Sequence, residues 1–392
     1  MIKLKKIMSN DNKAVELEYY IKEGISPVHY QLDDLKKHFD IRNSLYFLLG
    51  LPSFFLENKD VLEVAPGSGH NSLFTSSLKP RTYDLVEPNP LGCEDIKKNF
   101  QNLNFEHTKP RLFEKKIEEH ISKKKYDLVI TEGWPGGYLD YDKEMLRKIS
   151  SFVKKGGLLF ISFFPPCGAL STYLRRLISN KILNKDLSNK EKTKYLKNIF
   201  SSHLQTMGSM TRSKEHWIQD SLLNPYICLA HNTPVWCKEI LNNDFIFYQS
   251  VPKFSKEWRW YKSLHGSDKK FNDKFISEYL KILHCLVDFR VDGFNREEKK
   301  NLELEKLCCE IANLTKKYEN LVNEKYKEFL DPVLEKIIVN LDDKEMKKTQ
   351  LALNQARALL LKNNIEEGDI DNMSEFKFLF GREQCYLSFI KS

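Results

Sequence analysis

Residues 60–71 read Asp-Val-Leu-Glu-Val-Ala-Pro-Gly-Ser-Gly-His-Asn, and this stretch decides the fold. Val61, Leu62 and Val64 make an apolar run of the kind that builds a short buried strand. It breaks into Ala65, Pro66, Gly67, Ser68 and Gly69, small residues that let a ligand approach the backbone. From about Asn71 the chain is compatible with helix again. Strand, glycine-rich turn and helix together bring backbone N–H groups and a helix N-terminus to one end of a parallel sheet, where nucleotide-like ligands bind.

Such a turn also serves dinucleotide enzymes and plain strand-to-helix connections. The next element narrows the reading. Residues 82–86 form a second strand-like run that ends in Glu87 and is stopped by Pro88, Asn89 and Pro90. An acidic residue eighteen positions after Gly69, at the end of the neighbouring strand, is placed to accept hydrogen bonds from both hydroxyls of a ribose. Glu63 then decides which ribose cofactor is meant. A carboxylate just before the glycines suits a cationic amino acid moiety and repels a pyrophosphate.

With Glu63, the glycine turn and Glu87 taken together, the sequence resembles the class I S-adenosylmethionine-dependent methyltransferases. The resemblance implies a Rossmann-like α/β sheet, parallel apart from an antiparallel strand seven, and S-adenosyl-L-methionine as cofactor. It places Glu63, Ala65, Pro66, Gly67 and Gly69 around the methionine part of that cofactor, with Glu87 on its ribose. Ala65 departs from the family pattern, standing where the family keeps its first glycine.

A chain of 392 residues allows one large core with one or two additions. The formal charge of +8 comes from lysines spread along the chain beside Asp and Glu, a general compositional bias, so no nucleic-acid partner is expected. The eight cysteines include no C-x-x-C pair and no zinc-like spacing, so no metal is expected and they read as reduced core residues. Residues 1–12 lack the apolar stretch of a signal peptide, and no later segment approaches membrane-spanning length. The expected location is cytoplasmic.

Residues 14–50 read as a helical layer, with Leu32, Leu35 and Phe39 at helical spacing and a second apolar cluster at Leu45, Phe47 and Leu48. In the resembling family such a layer often covers the cofactor, which would bring His29 and Tyr30 towards it; ordinary packing or a surface position is the favoured reading for both. Residues 91–102 read as helix and 103–106 as a third strand, with His107 and Thr108 at its end beside the adenine. Residues 126–131 form a clear fourth strand and 157–164 a fifth, after a turn at 154–156. A long polar helical stretch follows over 171–202. Helix and strand pattern resumes at 233–241 and 245–251. From 267 to about 364 the pattern is helical, with Leu304, Leu307, Ile311, Leu314, Tyr318 and Leu321 on one face and Pro332 ending or kinking the helix. Packing on its own domain and homodimerisation through these C-terminal helices are both open. Residues 384–390 read as the closing strand. The resulting division is an N-terminal helical layer (1–50), a cofactor-binding core (51–165), a cap insertion (166–232), the core continued with strand six (233–261), a helical insertion (262–380) and strand seven (381–392).

The tip of strand four carries Glu132-Gly133-Trp134-Pro135-Gly136-Gly137, which in the resembling fold lies beside the transferable methyl group. The Asn/Asp-Pro-Pro-aromatic tip of base-methylating enzymes is absent. Glu132 is a candidate general base or cofactor contact and Trp134 a candidate wall for a sugar or aromatic ring, against a turn cap and a core residue. His216 and Asp220, four apart, would share one helix face, so that the carboxylate orients an imidazole base. Arg212 just before them, and Trp260 and Tyr261 in Trp258-Arg259-Trp260-Tyr261-Lys262, are candidate substrate contacts. Cys167 reads as a packed cysteine rather than a nucleophile.

The expected activity is methyl transfer to a small polar acceptor, an O- or N-methylation of a sugar or nucleotide sugar. The layout resembles bacterial methyltransferases of carbohydrate or secondary-metabolite synthesis. An RNA methyltransferase and a non-catalytic nucleotide-binding protein of the same fold are the alternatives.

Overall fold

The computed structural model describes residues 15–27, 30, 34–102, 108–135, 140–184, 186–208, 210, 212–226, 232–317 and 326–392. Among the described residues seven strands form one sheet in the order β3-β2-β1-β4-β5-β7-β6. The sheet is mixed, with one antiparallel strand, and is the Rossmann-like arrangement that the resemblance implied. The chain divides into two compact units, one of residues 1–135, 139–161 and 390–392, the other of 136–138 and 162–389.

The first unit starts with helices α1 (Val15–Glu23) and α2 (Leu35–Leu48). Then β1 (Asp60–Val64), α3 (His70–Ser77), β2 (Thr82–Val86), α4 (Pro90–Asn102), β3 (Arg111–Phe113), β4 (Tyr126–Thr131) and α5 (Asp140–Ser151) alternate up to β5 (Val153–Phe163). β1 pairs in parallel with β2 on one side and β4 on the other, Glu63 standing opposite Leu85 and Ile130. Strands flanked this way are covered on both faces, which is why β1, β2 and β4 are mostly apolar, each with one buried carboxylate, Glu63, Asp84 and Asp127. The expected turn at 154–156 is instead part of β5. Its register against β4 shifts between Tyr126 and Leu128, near Gly156 at φ +73°, so a bulge takes up the glycines without ending the strand.

Two expectations here are corrected. The third strand is Arg111–Phe113, later than the 103–106 run, which lies outside the described residues together with His107. Thr108 therefore precedes β3, and its hydroxyl donates to the Pro80 carbonyl ahead of β2. That is the end of the sheet away from the glycine turn, so Thr108 does not stand beside an adenine. In α2 the inward residues are His38, Arg42 and Tyr46, while Phe47 of the expected apolar cluster is 70% exposed. Leu32 and His29 lie outside the described residues.

The second unit contains α6 (Pro166–Ile182), α7 (Asn189–Ile199), α8 (Ser201–Gln205), α9 (Lys214–Ile218), α10 (Pro234–Leu241), β6 (Phe245–Val251), α11 (Phe271–Ile282), α12 (Glu298–Lys317), α13 (Asp331–Asn340), α14 (Lys347–Leu361), α15 (Glu367–Asp371) and β7 (Cys385–Lys391). The polar stretch expected over 171–202 is two main helices. α6 is almost wholly buried, and α7 starts afresh at a capping box of Ser188 and Glu191. α12 packs against α6 within the unit and buries Leu304, Leu307 and Ile311; Tyr318 and Leu321 lie outside the described residues. Pro332 opens α13 at its first turn, where a proline costs no hydrogen bond. Arg382 donates to the carbonyls of Cys285, Asp288, Phe289 and Val291 at 2.7–3.0 Å, fastening the approach to β7. Among the described residues no helix is long and apolar enough to cross a membrane.

Candidate functional site

The site is built on the C-terminal ends of β1, β2 and β4 in the first unit. After Val64 the chain turns left-handed three times, at Ala65 (φ +55°), Gly67 (φ +60°) and Gly69 (φ +74°). Only glycine takes this conformation without cost. Ala65 pays for it, and its N–H donates to the Val86 carbonyl at 2.9 Å, which fixes the bend to β2. A side chain on Gly69 would come within 2.7 Å of Ile96, and one on Gly92 within 2.8 Å of the Gly67 carbonyl. The turn is thus a closely fitted backbone cradle.

Glu87 holds this cradle from the end of β2. Its two carboxylate oxygens accept the Gly67 N–H at 2.8 Å and the Asn89 N–H at 2.7 Å. Each oxygen keeps a further lone pair for a hydroxyl donor. Glu63 lies beneath the turn, fully buried, where one oxygen accepts the Ser72 hydroxyl at 2.9 Å and also the Tyr83 phenol. Burial pushes both carboxyls up to about 7, for Glu63 with help from the nearby Glu132 charge. A cationic ligand beside them would restore their ionisation.

At the tip of β4, Glu132 is buried and gripped by Arg42 of α2, through bonds of 2.9 and 2.5 Å to its two oxygens. The Asn71 amide donates to the same carboxylate at 3.4 Å. Both oxygens of Glu132, the candidate base or cofactor contact, are thus held by the Arg42 guanidinium. Beside it on α2 stands His38, buried, with its Nε2 lacking a hydrogen-bond partner among the described residues. Burial, then the Arg42 charge, lowers its pKa, so the imidazole is neutral at physiological pH. Asn71 Oδ1 is likewise a buried acceptor without a partner. His70 Nδ1 accepts the Tyr30 N–H at 2.9 Å, and the Tyr30 and His38 rings lie 5.3 Å apart. Tyr30 thus packs beside His38 and His70.

Sequence reasoning missed His38, Arg42 and Asn71. The signal was present as the four-residue spacing of His38, Arg42 and Tyr46, which puts two cation-capable groups and a ring on one helix face. Trp134 is half-buried at the β4 tip, 6.3 Å from the Tyr141 ring, with its carbonyl accepting from Thr131 at 2.5 Å.

The remaining candidates lie in the second unit. The helix that begins at Lys214 widens into a π-turn over Gln219–Leu223. Asp220 accepts from Arg212 at 2.8 Å and from Asn224 at 3.2 Å, so its charge is shared with a guanidinium. Arg212 is by the same bond an ion-pair partner before it is a substrate contact. Trp260 and Tyr261 are exposed. Cys167 is buried in α6, where burial raises its thiol pKa well above the ordinary value and so opposes thiolate formation. Among the described residues no group of three His, Cys, Asp or Glu side chains is arranged to hold a metal ion.

No protein-family model and no curated protein matches the chain. Among solved structures, the magnesium protoporphyrin IX methyltransferase of Synechocystis, with S-adenosylmethionine bound, is 16% identical; the match covers 40% of this chain and 78% of that one at a TM-score of 0.32. The N-methyltransferase NodS of Bradyrhizobium japonicum, in complex with S-adenosylhomocysteine, is 13% identical over 39% of this chain and 73% of its own, TM-score 0.30. An S-adenosylmethionine-dependent methyltransferase of Clostridium acetobutylicum is 20% identical over 38% and 56%, TM-score 0.28. Superpositions this partial leave the chemistry to be argued from the site itself.

Proposed function

We propose that the protein is an S-adenosylmethionine-dependent methyltransferase acting on a small polar acceptor, the hydroxyl or amine of a sugar or nucleotide sugar. One observation carries the reading: two buried carboxylates, Glu63 and Glu87, close off adjacent parallel strands on either side of a left-handed Ala-Pro-Gly-Ser-Gly turn. A dinucleotide pyrophosphate would meet two anions there, whereas a cofactor with a cationic amino acid end and a free ribose meets complementary groups.

Glu63, the turn from Ala65 to Gly69 and Asn71 Oδ1 would hold the methionine end, and Glu87 the ribose. When bound, the cofactor supplies a methyl group activated by its sulfonium. Arg42 fixes Glu132 at the β4 tip, and α2 covers the site against water. His38 Nε2, neutral and unpartnered, takes the acceptor's proton. The small, polar character of the acceptor is supported by the missing base-stacking tip after β4 and by the half-buried Trp134 beside Tyr141, a surface on which a sugar ring stacks.

Titration calorimetry with S-adenosylmethionine, S-adenosylhomocysteine and NAD tests the cofactor. Binding of the first two only, weakened in Glu87→Ala, is the expected result; binding of NAD, or of none by folded protein, overturns the reading. Labelled methyl transfer to a panel of nucleotide sugars, set against total tRNA, then distinguishes the acceptor classes.

A further inference from the structure

Between β6 and α11 the chain makes an outward excursion over residues 252–270 that the methyl-transfer reading does not use. Its root is Phe254, buried against the rings of Phe163, Phe275 and Tyr279 at 5.9, 6.1 and 5.1 Å. Beyond it Trp258 is 93% exposed, Trp260 66% and Tyr261 70%. The backbone that carries these rings is held in place. Arg259 is tied to Glu257 at 2.8 and 2.6 Å and to the Asp268 carbonyl at 2.5 Å, and Ser263 bonds the Trp260 carbonyl through its N–H and its hydroxyl. A fixed loop that keeps two indoles and a phenol in water forgoes burial that a core would have supplied.

Charge identifies the occupant. The segment carries six cations, Lys253, Lys256, Arg259, Lys262, Lys269 and Lys270, against Glu257 and Asp268. All five lysines are exposed, and the Lys262 ammonium lies 5.2 Å from the Trp260 ring centroid and 6.0 Å from that of Tyr261. We propose that this loop is a docking surface for an anionic phospholipid bilayer. Trp and Tyr rings settle at the depth of the lipid headgroups, and lysines rooted among them reach the phosphates. Attraction to an anionic leaflet adds with each cation near the surface. A nucleic acid or acidic glycan would use the same cations but grips its bases or sugars between walls, and Trp258, almost wholly in solvent, has no wall beside it.

The test is co-sedimentation of the full-length protein with vesicles of phosphatidylcholine alone and of phosphatidylcholine with phosphatidylglycerol in equal parts, read together with tryptophan emission. Binding to the anionic vesicles with a blue shift, weakened by salt, is expected. Trp258→Ala with Trp260→Ala, and separately Lys262→Glu with Lys269→Glu, should each lower vesicle affinity about tenfold or more with an unchanged thermal transition. The proposal is overturned by equal binding to neutral vesicles or by unchanged binding of these variants. It is also overturned if the anionic vesicles do not bind, whether the loop instead takes up heparin or RNA, or a dimer is found that Trp258→Ala dissolves.

Discussion

Arg42 and Glu132, ninety positions apart in sequence, meet through two parallel hydrogen bonds at the tip of β4, both side chains removed from solvent. A buried pair of this kind gains little over a hydrophobic pair but is costly to break from one side, because the survivor is left as an uncompensated charge.

Arg42→Ala should therefore destabilise the fold by about 3–5 kcal/mol, measured by denaturant unfolding. Arg42→Ala combined with Glu132→Gln should recover a large part of that loss. Equal stability of the single and double variants would show that the pairing contributes nothing.

His38→Ala should leave cofactor affinity and the unfolding midpoint nearly unchanged while lowering turnover by about 10²–10⁴-fold, the usual contribution of a positioned base. Because burial lowers the pKa of the imidazole, turnover of the unaltered protein should be flat above its ordinary pKa of 6.5. A variant with full turnover would remove His38 from the chemistry.

Glu63 and Glu87 should make the protein sensitive to pH in two opposite ways. Their folded values of about 7 lie above the ordinary 4.5, so the stability they lend is complete below about 4.5 and is lost as pH rises through about 7. The unliganded protein should melt at a higher temperature at pH 5 than at pH 8, as far as these groups decide it. A cation bound beside Glu63 needs the ionised form, so S-adenosylhomocysteine should bind more tightly as pH rises over the same range and release protons at pH 6. Calorimetry in buffers of different ionisation enthalpy would reveal that release, and identical heats in all of them would contradict it.

Ala65 and Gly69 share a left-handed backbone but not their surroundings. Ala65→Gly removes a left-handed penalty of roughly 1 kcal/mol and adds about as much unfolded-state entropy, so its stability should hardly move. Gly69→Ala adds both the backbone strain and a methyl group driven into Ile96, and should cost at least about 1–2 kcal/mol and weaken cofactor binding. Paired melts and titrations of the two variants decide this.

Much of the frame was legible because parallel strands covered on both faces advertise themselves as mostly apolar runs. Residues 82–86 and 126–131 are strands with those limits; so is 245–251, an edge strand whose residues alternate between buried and exposed. β3 was not legible, since three residues with an exposed Arg111 at their head give no periodic signal; Arg111 is instead held by Asp84 of β2. In the site, the glycine turn and both carboxylates were readable because their spacing is local. The α2 face was not. His38 and Arg42 look like solvent residues until Glu132, far away in sequence, supplies the counter-charge that lets a guanidinium be buried.

Arg382 stands three residues ahead of β7 and spends its terminal nitrogens on four carbonyls of the 285–291 bend. The closing strand thus inherits a prerequisite: its leading arginine has nothing to dock on until that bend exists, so the strand settles with the bend or after it. Pulse-labelled hydrogen exchange during refolding should find β7 amides slowing together with those of 285–291, and never earlier.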